Sequence, residues 1–121
     1  MKRQETGRRG EKLAADFLTK RGYRILAINY RCPHGEIDLV ARHRDFLVFV
    51  EVRTKQSPEF GSPEESITPA KKEHLIATAQ HYQQEHDNLP PSWRIDVVAV
   101  EMDRRGRPLR IELVENAVTE D

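Results

Sequence analysis

The sequence predicts a single α/β domain in which one mixed β-sheet carries helices on both faces, with elements in the order α-β-β-β-α-β-β. Three observations lead there. A chain of 121 residues suits one hydrophobic core and not two. Apolar residues recur at helical spacing in two places, and short runs rich in Val, Ile and Leu lie between and after them. Two of those runs, LVFV and WRIDVVAV, are apolar enough on both sides to be central strands covered on each face.

The elements follow in order. Leu13, Ala14, Phe17 and Leu18 recur at helical spacing between Thr6 and Arg21, and Gly22 stands where a helix C-cap belongs, so a first helix spans Thr6 to Arg21. Tyr23 to Ile28 reads as a short strand, and Asn29 to Gly35, with its Asn, Pro and Gly, as a connection. Two strands, Glu36 to Ala41 and Phe46 to Arg53, are joined by a turn over Arg42-His43-Arg44-Asp45. Gln56 to Ile67 has Pro, Ser and Gly without periodicity and reads as a long loop, placed either to close over a substrate or simply to connect. Thr68-Pro69 supplies an N-cap hydroxyl and a proline for the first helical position. Leu75, Ile76, Ala79 and Tyr82 give this second helix its apolar face. Pro90-Pro91 ends that region, Trp93 to Val100 forms an interior strand, and the basic turn Arg104 to Pro108 leads into a last strand over Leu109 to Val114. No internal repeat is visible.

Charged residues make up 33% of the chain and hydrophobic residues 37%, the profile of a folded domain with a highly charged surface. Formal net charge is zero, but it is unevenly placed. Residues 1–55 hold thirteen Lys/Arg against seven Asp/Glu, and residues 56–121 hold seven against thirteen. That asymmetry hints at a basic face for a polyanion, although a fold that interleaved the halves would erase it. Cys32 is the only cysteine, so no internal disulfide forms, and no Cys/His cluster has zinc spacing. Met1 is not followed by an apolar segment and no run approaches a membrane span. A soluble protein in a reducing, cytoplasmic setting with no membrane partner is therefore expected.

The stretch GEIDLVARHRDFLVFVEVRTK, residues 35–55, puts Glu36, Asp38 and Glu51 inside strands where apolar residues belong. Burying carboxylates costs free energy unless something positive meets them. With the turn at 42–45, Ala41 would pair with Phe46, Asp38 with Phe49 and Glu36 with Glu51. Alternation then sets all three acids on one face, with opposed β-carbons about 5 Å apart. A one-residue register shift would scatter them. Carboxylates this close repel unless a cation neutralises them. A hard divalent ion such as Mg²⁺, or Mn²⁺, takes a few carboxylate oxygens and leaves positions for water and a phosphate. The competing reading is a structural network in which Arg53 or Arg42 pairs with the acids. Three acids on one face, with a basic residue two positions after the last, favour the metal.

GEIDLVA followed by LVFVEVR resembles the PD-(D/E)xK nuclease signature, an Asp ending one strand and a Glu-x-Lys on the next. The wider pattern is similar to the YraN-like family of small bacterial proteins, assigned to the restriction-endonuclease-like fold. The matching elements are Gly10-Glu11 with Ala14 and Ala15, Asn29-Tyr30-Arg31, Gly35 to Leu39, Val48 to Val52, Phe60-Gly61, Lys71 and Asp96-Val97-Val98. They cover nearly the whole chain and imply a single nuclease-like domain over residues 1–121. The resemblance implies metal-binding acids at Asp38 and Glu51, with the backbone carbonyl of Val52 as a further ligand and Glu36 as a supporting or alternative one. Glu11 shares a helical face with Ala15 and Leu18 and would complete an acidic cluster, or else is an exposed acid suited to a helix N-terminus.

Where the signature has Lys, this chain has Arg53. Arginine keeps its charge and cannot act as a general base, but it can stabilise a phosphoryl transition state and help position a water. Lys55 and Lys71 are the lysines that could compensate. Related nucleases sometimes carry this lysine on the second helix, which makes Lys71 the better candidate; both also fit as solvated surface lysines.

Arg8, Arg9, Lys12, Arg31, Lys55, Lys71 and Lys72 suit phosphate contacts, which give affinity without sequence information. No base-reading motif is visible. The sequence thus points to a metal-dependent endonuclease acting on DNA, branched DNA by analogy with fold relatives. The alternatives are a non-catalytic nucleic-acid-binding module that has lost the catalytic lysine, and an interaction domain with a structural acid cluster. A homodimer would suit the cutting of two strands.

Overall fold

The computed structural model describes residues 2–56 and 67–119. The chain builds α1 (Arg3–Lys20), β1 (Arg24–Cys32), β2 (Gly35–His43), β3 (Phe46–Gln56), α2 (Pro69–Glu85), β4 (Ser92–Met102) and β5 (Pro108–Val118). The expected α-β-β-β-α-β-β order and mixed sheet are therefore present. The strands lie in the order β1-β2-β3-β4-β5, antiparallel throughout except for the parallel pair β3 and β4, which α2 connects. The expected loop over residues 57–66 and its Phe60-Gly61 lie outside the described residues.

Alternation along β3 divides the core into two layers. Val48 and Val50 pack under α1 with Ala14, Leu18, Val98 and Val100. Leu47 and Phe49 pack under α2 with Leu75, Ala79, Tyr82 and Ile95. Each large apolar side chain buried in this way contributes roughly 1.5–3 kcal/mol. This two-sided burial is why LVFV lacks the polar alternation of a half-exposed strand.

Local chemistry sets the helix ends. Thr68 caps α2 by accepting the Lys71 N–H at 3.1 Å, with Pro69 at the first helical position. At the end of α1, Arg21 is the C-cap and Gly22 adopts a left-handed φ of 89°. Gly10 lets α1 approach the sheet closely, because a Cβ there would stand 2.0 Å from Thr54 Oγ1.

Two departures from the expected strands shape the site. The β2–β3 hairpin reverses in two residues, Arg44 and Asp45, rather than four, with Arg44 at a left-handed φ of 56°. Two-residue reversals match the twist of the flanking strands. Ala41 consequently pairs with Val48 instead of Phe46, and the last pair in the ladder is Leu39 with Val50. This register differs from the expected one by two residues, so faces are kept but partners change. Extending it sets Asp38, not Glu36, opposite Glu51.

The second departure is in β1, which does not end at Ile28 but runs on to Cys32 through Asn29, the residue that was expected to open a turn. Asn29 keeps a turn-like φ of 53° inside the strand. The pairs Ile28–Leu39 and Tyr30–Ile37 flank it, which sets Asn29 against Asp38. Leu39 packs in the α1 layer while Ile37, two residues earlier, packs in the α2 layer. Residues two apart normally share a face, so the ladder changes face at Asn29 and Asp38.

Candidate nuclease-like site

Asp38 sits where β2 stops pairing with β3. Its Oδ2 accepts the backbone N–H of Val52 at 2.8 Å, replacing the ladder bond that a main-chain carbonyl would otherwise make. In an extended strand a residue's N–H and C=O leave the same edge, so the carbonyl of Val52 emerges on the side of Asp38. Asp38 also hydrogen-bonds the carboxyl of Glu51. Burial, that shared hydrogen bond and the Glu51 charge push the Asp38 carboxyl up to about 8. The neutral form of Asp38 is thereby favoured beside Glu51.

Glu51 is buried, its side chain only 6% exposed. Lys71 Nζ, from the first turn of α2, lies 3.1 Å from Glu51 Oε2. The same oxygen nevertheless has no hydrogen bond. The distance gives charge compensation, but the ammonium is not aligned along a lone pair, and we take the oxygen as electrostatically paired and still able to accept a ligand.

Glu11 of α1 reaches the cluster by a different route. It hydrogen-bonds Asn29, the residue set against Asp38. Burial first, then the charges of Glu36 and Glu51, raises its carboxyl above the ordinary range despite that bond. Glu36 itself forms an exposed ion pair with Arg31, 3.4 Å apart, near the β1–β2 turn. Because the ladder changes face at Asp38, Glu36 does not share one flat carboxylate face with Asp38 as alternation alone suggested.

The remaining sequence candidates divide. Arg53 and Lys55 lie on β3 two and four residues beyond Glu51, and the strand continues through both. They therefore share its face. Lys72 follows Lys71 in the first turn of α2. Arg8 and Lys12 line a cavity that also touches Glu11. Arg9 instead donates from Nε to the Gly106 carbonyl at 3.1 Å, tying α1 to the β4–β5 turn. Asp96 is fully buried and accepts from Arg94 Nε at 3.0 Å and from the Asn116 N–H at 2.9 Å, the role of a structural acceptor.

Asn29 is the site residue that sequence reasoning placed in a turn. Its signal was present, since asparagine tolerates left-handed backbone better than other side-chain-bearing residues, but nothing local said that the strand would continue past it.

Among the described residues, no three His, Cys, Asp or Glu side chains form a group able to enclose a metal ion. Mg²⁺ needs less: one or two carboxylates, with waters and substrate phosphate completing its shell. Asp38, Glu51 with its unbonded oxygen, and the Val52 carbonyl offer hard oxygens of that kind, so the residues present fit such an ion.

Comparison with known proteins adds the family context. A family model described as "Uncharacterised protein family UPF0102" matches residues 10–100. A UPF0102 protein of Dehalococcoides mccartyi is 48% identical over 119 residues, covering 98% of this chain and 97% of the relative. One from Roseiflexus castenholzii is 49% identical over 123 residues, covering 95% and 98%. One from Moorella thermoacetica is 44% identical over 117 residues, covering 97% and 98%.

Proposed function

The chain belongs to the UPF0102 family, and on that premise we propose that it is a Mg²⁺- or Mn²⁺-dependent endonuclease that hydrolyses phosphodiester bonds in DNA. The observation that carries this reading is the meeting of Asp38, Glu51 and Lys71 where β2 and β3 part. A structural ion pair needs one acid per cation. Here Asp38 and the buried Glu51 stand beside one imperfectly aligned lysine, an arrangement that leaves room for a further positive charge.

Asp38, Glu51 and the Val52 carbonyl would hold the ion. When bound, it would supply a polarised water and neutralise charge on the phosphoryl group. Lys71 is already fixed beside Glu51 by the capped first turn of α2. It is positioned to meet the negative charge that develops on phosphoryl oxygens. Arg53, on the same strand face, would add a second fixed positive charge.

The strands lie in chain order, so β1–β3, from the basic first 55 residues, occupy one side of the sheet, while α2 of the second half packs across β2 and β1 and α1 reaches β4 and β5. Arg8, Lys12, Arg31, Lys55 and Lys72 would contact phosphates, whereas Arg9 serves the fold through Gly106. Among the described residues no helix is long and apolar enough to cross a membrane.

Arg53 in the motif position favours one second reading, a nucleic-acid-binding module without turnover. Calorimetric titration of Mg²⁺ and Mn²⁺ into wild type and the double variant Asp38→Ala/Glu51→Ala, with cleavage assays on linear, single-stranded and branched DNA, separates the two. Metal binding and cleavage that both vanish in the double variant support the nuclease. DNA binding without metal-dependent cleavage supports the binding module. A homodimer would show as a doubled mass in sedimentation of the wild type.

A further inference from the structure

Beside the acid cluster, on the α1 face of β1 and β2, lies a cavity of about 340 Å³ lined by Arg8, Glu11, Lys12, Asp16, Ile28 and Leu39, with Ala15 in its floor. It shares a wall with the site. Glu11 lines it and hydrogen-bonds Asn29, and Leu39 directly follows Asp38. We infer that this cavity receives a single unpaired nucleotide of the substrate strand, next to the phosphate that the acids address. The inference rests on the nuclease reading and goes further by naming the substrate class.

The lining has the divided chemistry of a nucleotide. Ala15 and Ile28 offer apolar surface to the face of a base, above the buried Leu39. Arg8 and Lys12, both exposed on the first half of α1, offer cations to its phosphates. Glu11 and Asp16 offer acceptor oxygens to exocyclic amino groups. The volume falls at the lower end of the roughly 300–1,000 Å³ of small-molecule sites, enough for one nucleotide and too little for a stacked pair.

Ile28 is the most informative residue. It is an apolar side chain left 61% exposed, on the face opposite to that of its neighbour Ala27, which packs in the core. Alternation from Ala27 turns Ile28 to the α1 face, and the irregularity at Asn29 then turns Tyr30 back towards α2. A base in continuous duplex is stacked on both faces and paired along its edge, so it cannot fill such a cavity. A base in a single strand, a flap or a junction can. Single strands are generally held by stacking of bases on aromatic side chains, and here the exposed apolar surface of Ile28 would take that place.

The test uses a 2-aminopurine-containing single strand, the same strand in duplex, and free 5′-dAMP, titrated in EDTA so that no cleavage occurs. Wild type should bind the single strand at least tenfold tighter than the duplex. Ile28→Ser, an exposed change that leaves the core intact, should weaken single-strand binding about tenfold and leave duplex binding unchanged. Asp38→Asn/Glu51→Gln should keep the fluorescence response. Equal affinity of Ile28→Ser and wild type for the single strand would overturn the proposal, as would equal affinity of wild type for strand and duplex. Free 5′-dAMP binding as tightly as the strand would overturn the assignment to a strand. Failure of wild type to cut any DNA in Mg²⁺ would sink the nuclease reading while leaving the pocket to stand or fall on its own result.

Discussion

Lys71 holds its ammonium 3.1 Å from Glu51 Oε2, yet that buried oxygen has no aligned donor. The lysine compensates charge without satisfying the acceptor, so the pair is incomplete in a way that an ordinary buried ion pair is not. Removing Lys71 should therefore matter more than changing Arg53. Lys71→Met is expected to lower Mg²⁺-dependent cleavage by about 100- to 1,000-fold, the scale for losing one preorganised positive group, while Arg53→Lys stays within about tenfold. Single-turnover rates on a branched substrate would decide this. A larger loss from Arg53→Lys than from Lys71→Met would return the catalytic role to β3.

The raised Asp38 carboxyl gives a pH dependence with a definite sign. Its ordinary value is 3.8 and in the folded protein it rises to about 8. Between those values the folded state holds a proton that the unfolded state has released, so stability falls as pH rises through this window. Asp38→Asn should flatten the dependence and be more stable than wild type above pH 8, by roughly 1–3 kcal/mol. Denaturant unfolding at pH 5, 7 and 9 provides the comparison. Wild-type stability that climbs over this range would contradict the raised Asp38 carboxyl.

Mg²⁺ should act in the opposite direction, because a cation binding the acids displaces the Asp38 proton and binds more tightly as pH rises. At a concentration about 100 times its dissociation constant it would add about 2.7 kcal/mol. Melting curves with Mg²⁺ and with EDTA should separate more at pH 9 than at pH 6. Curves that coincide at both pH values would argue for a purely structural cluster.

Asn29 combines a backbone role and a side-chain role that substitutions can separate. Asn29→Gly keeps the left-handed backbone and loses only the hydrogen bond with Glu11. Asn29→Val must either adopt that conformation at a cost of roughly 1–3 kcal/mol or restore a regular ladder and move Asp38. The valine variant should lose more stability and more metal affinity than the glycine variant. Equal behaviour of the two, by calorimetry and thermal unfolding, would mean that the strand irregularity does not position Asp38.

Gly10→Ala tests the approach of α1 to β3. Its Cβ would meet Thr54 Oγ1 at 2.0 Å, an overlap that forces the helix or the strand to shift at a cost of about 1–3 kcal/mol. Thr54→Ala in the same chain should recover part of the loss, and the absence of any recovery would place the strain elsewhere.

Much of the fold was legible in the residues because the signals are local. Leu13, Ala14, Phe17 and Leu18 repeat with helical period, Thr68-Pro69 carries its own start signal, and the LVFV run is apolar on both sides because both sides are covered. The acids were legible too, since Asp38 and Glu51 interrupt apolar strands. The partners were not. A two-residue reversal at Arg44-Asp45 set the register, and a left-handed Asn29 inside β1 turned Tyr30 back towards α2.

The sequence by itself determined the element order, the two-layered core and the strand positions of Asp38 and Glu51, because periodicity and capping act between near neighbours in the chain. The tertiary structure alone decided that Asp38 would meet the Val52 N–H, that Lys71 would stand beside Glu51, and that Arg9 would bind Gly106. These pairings join distant parts of the chain, and they are fixed by how helices and strands pack rather than by any local preference.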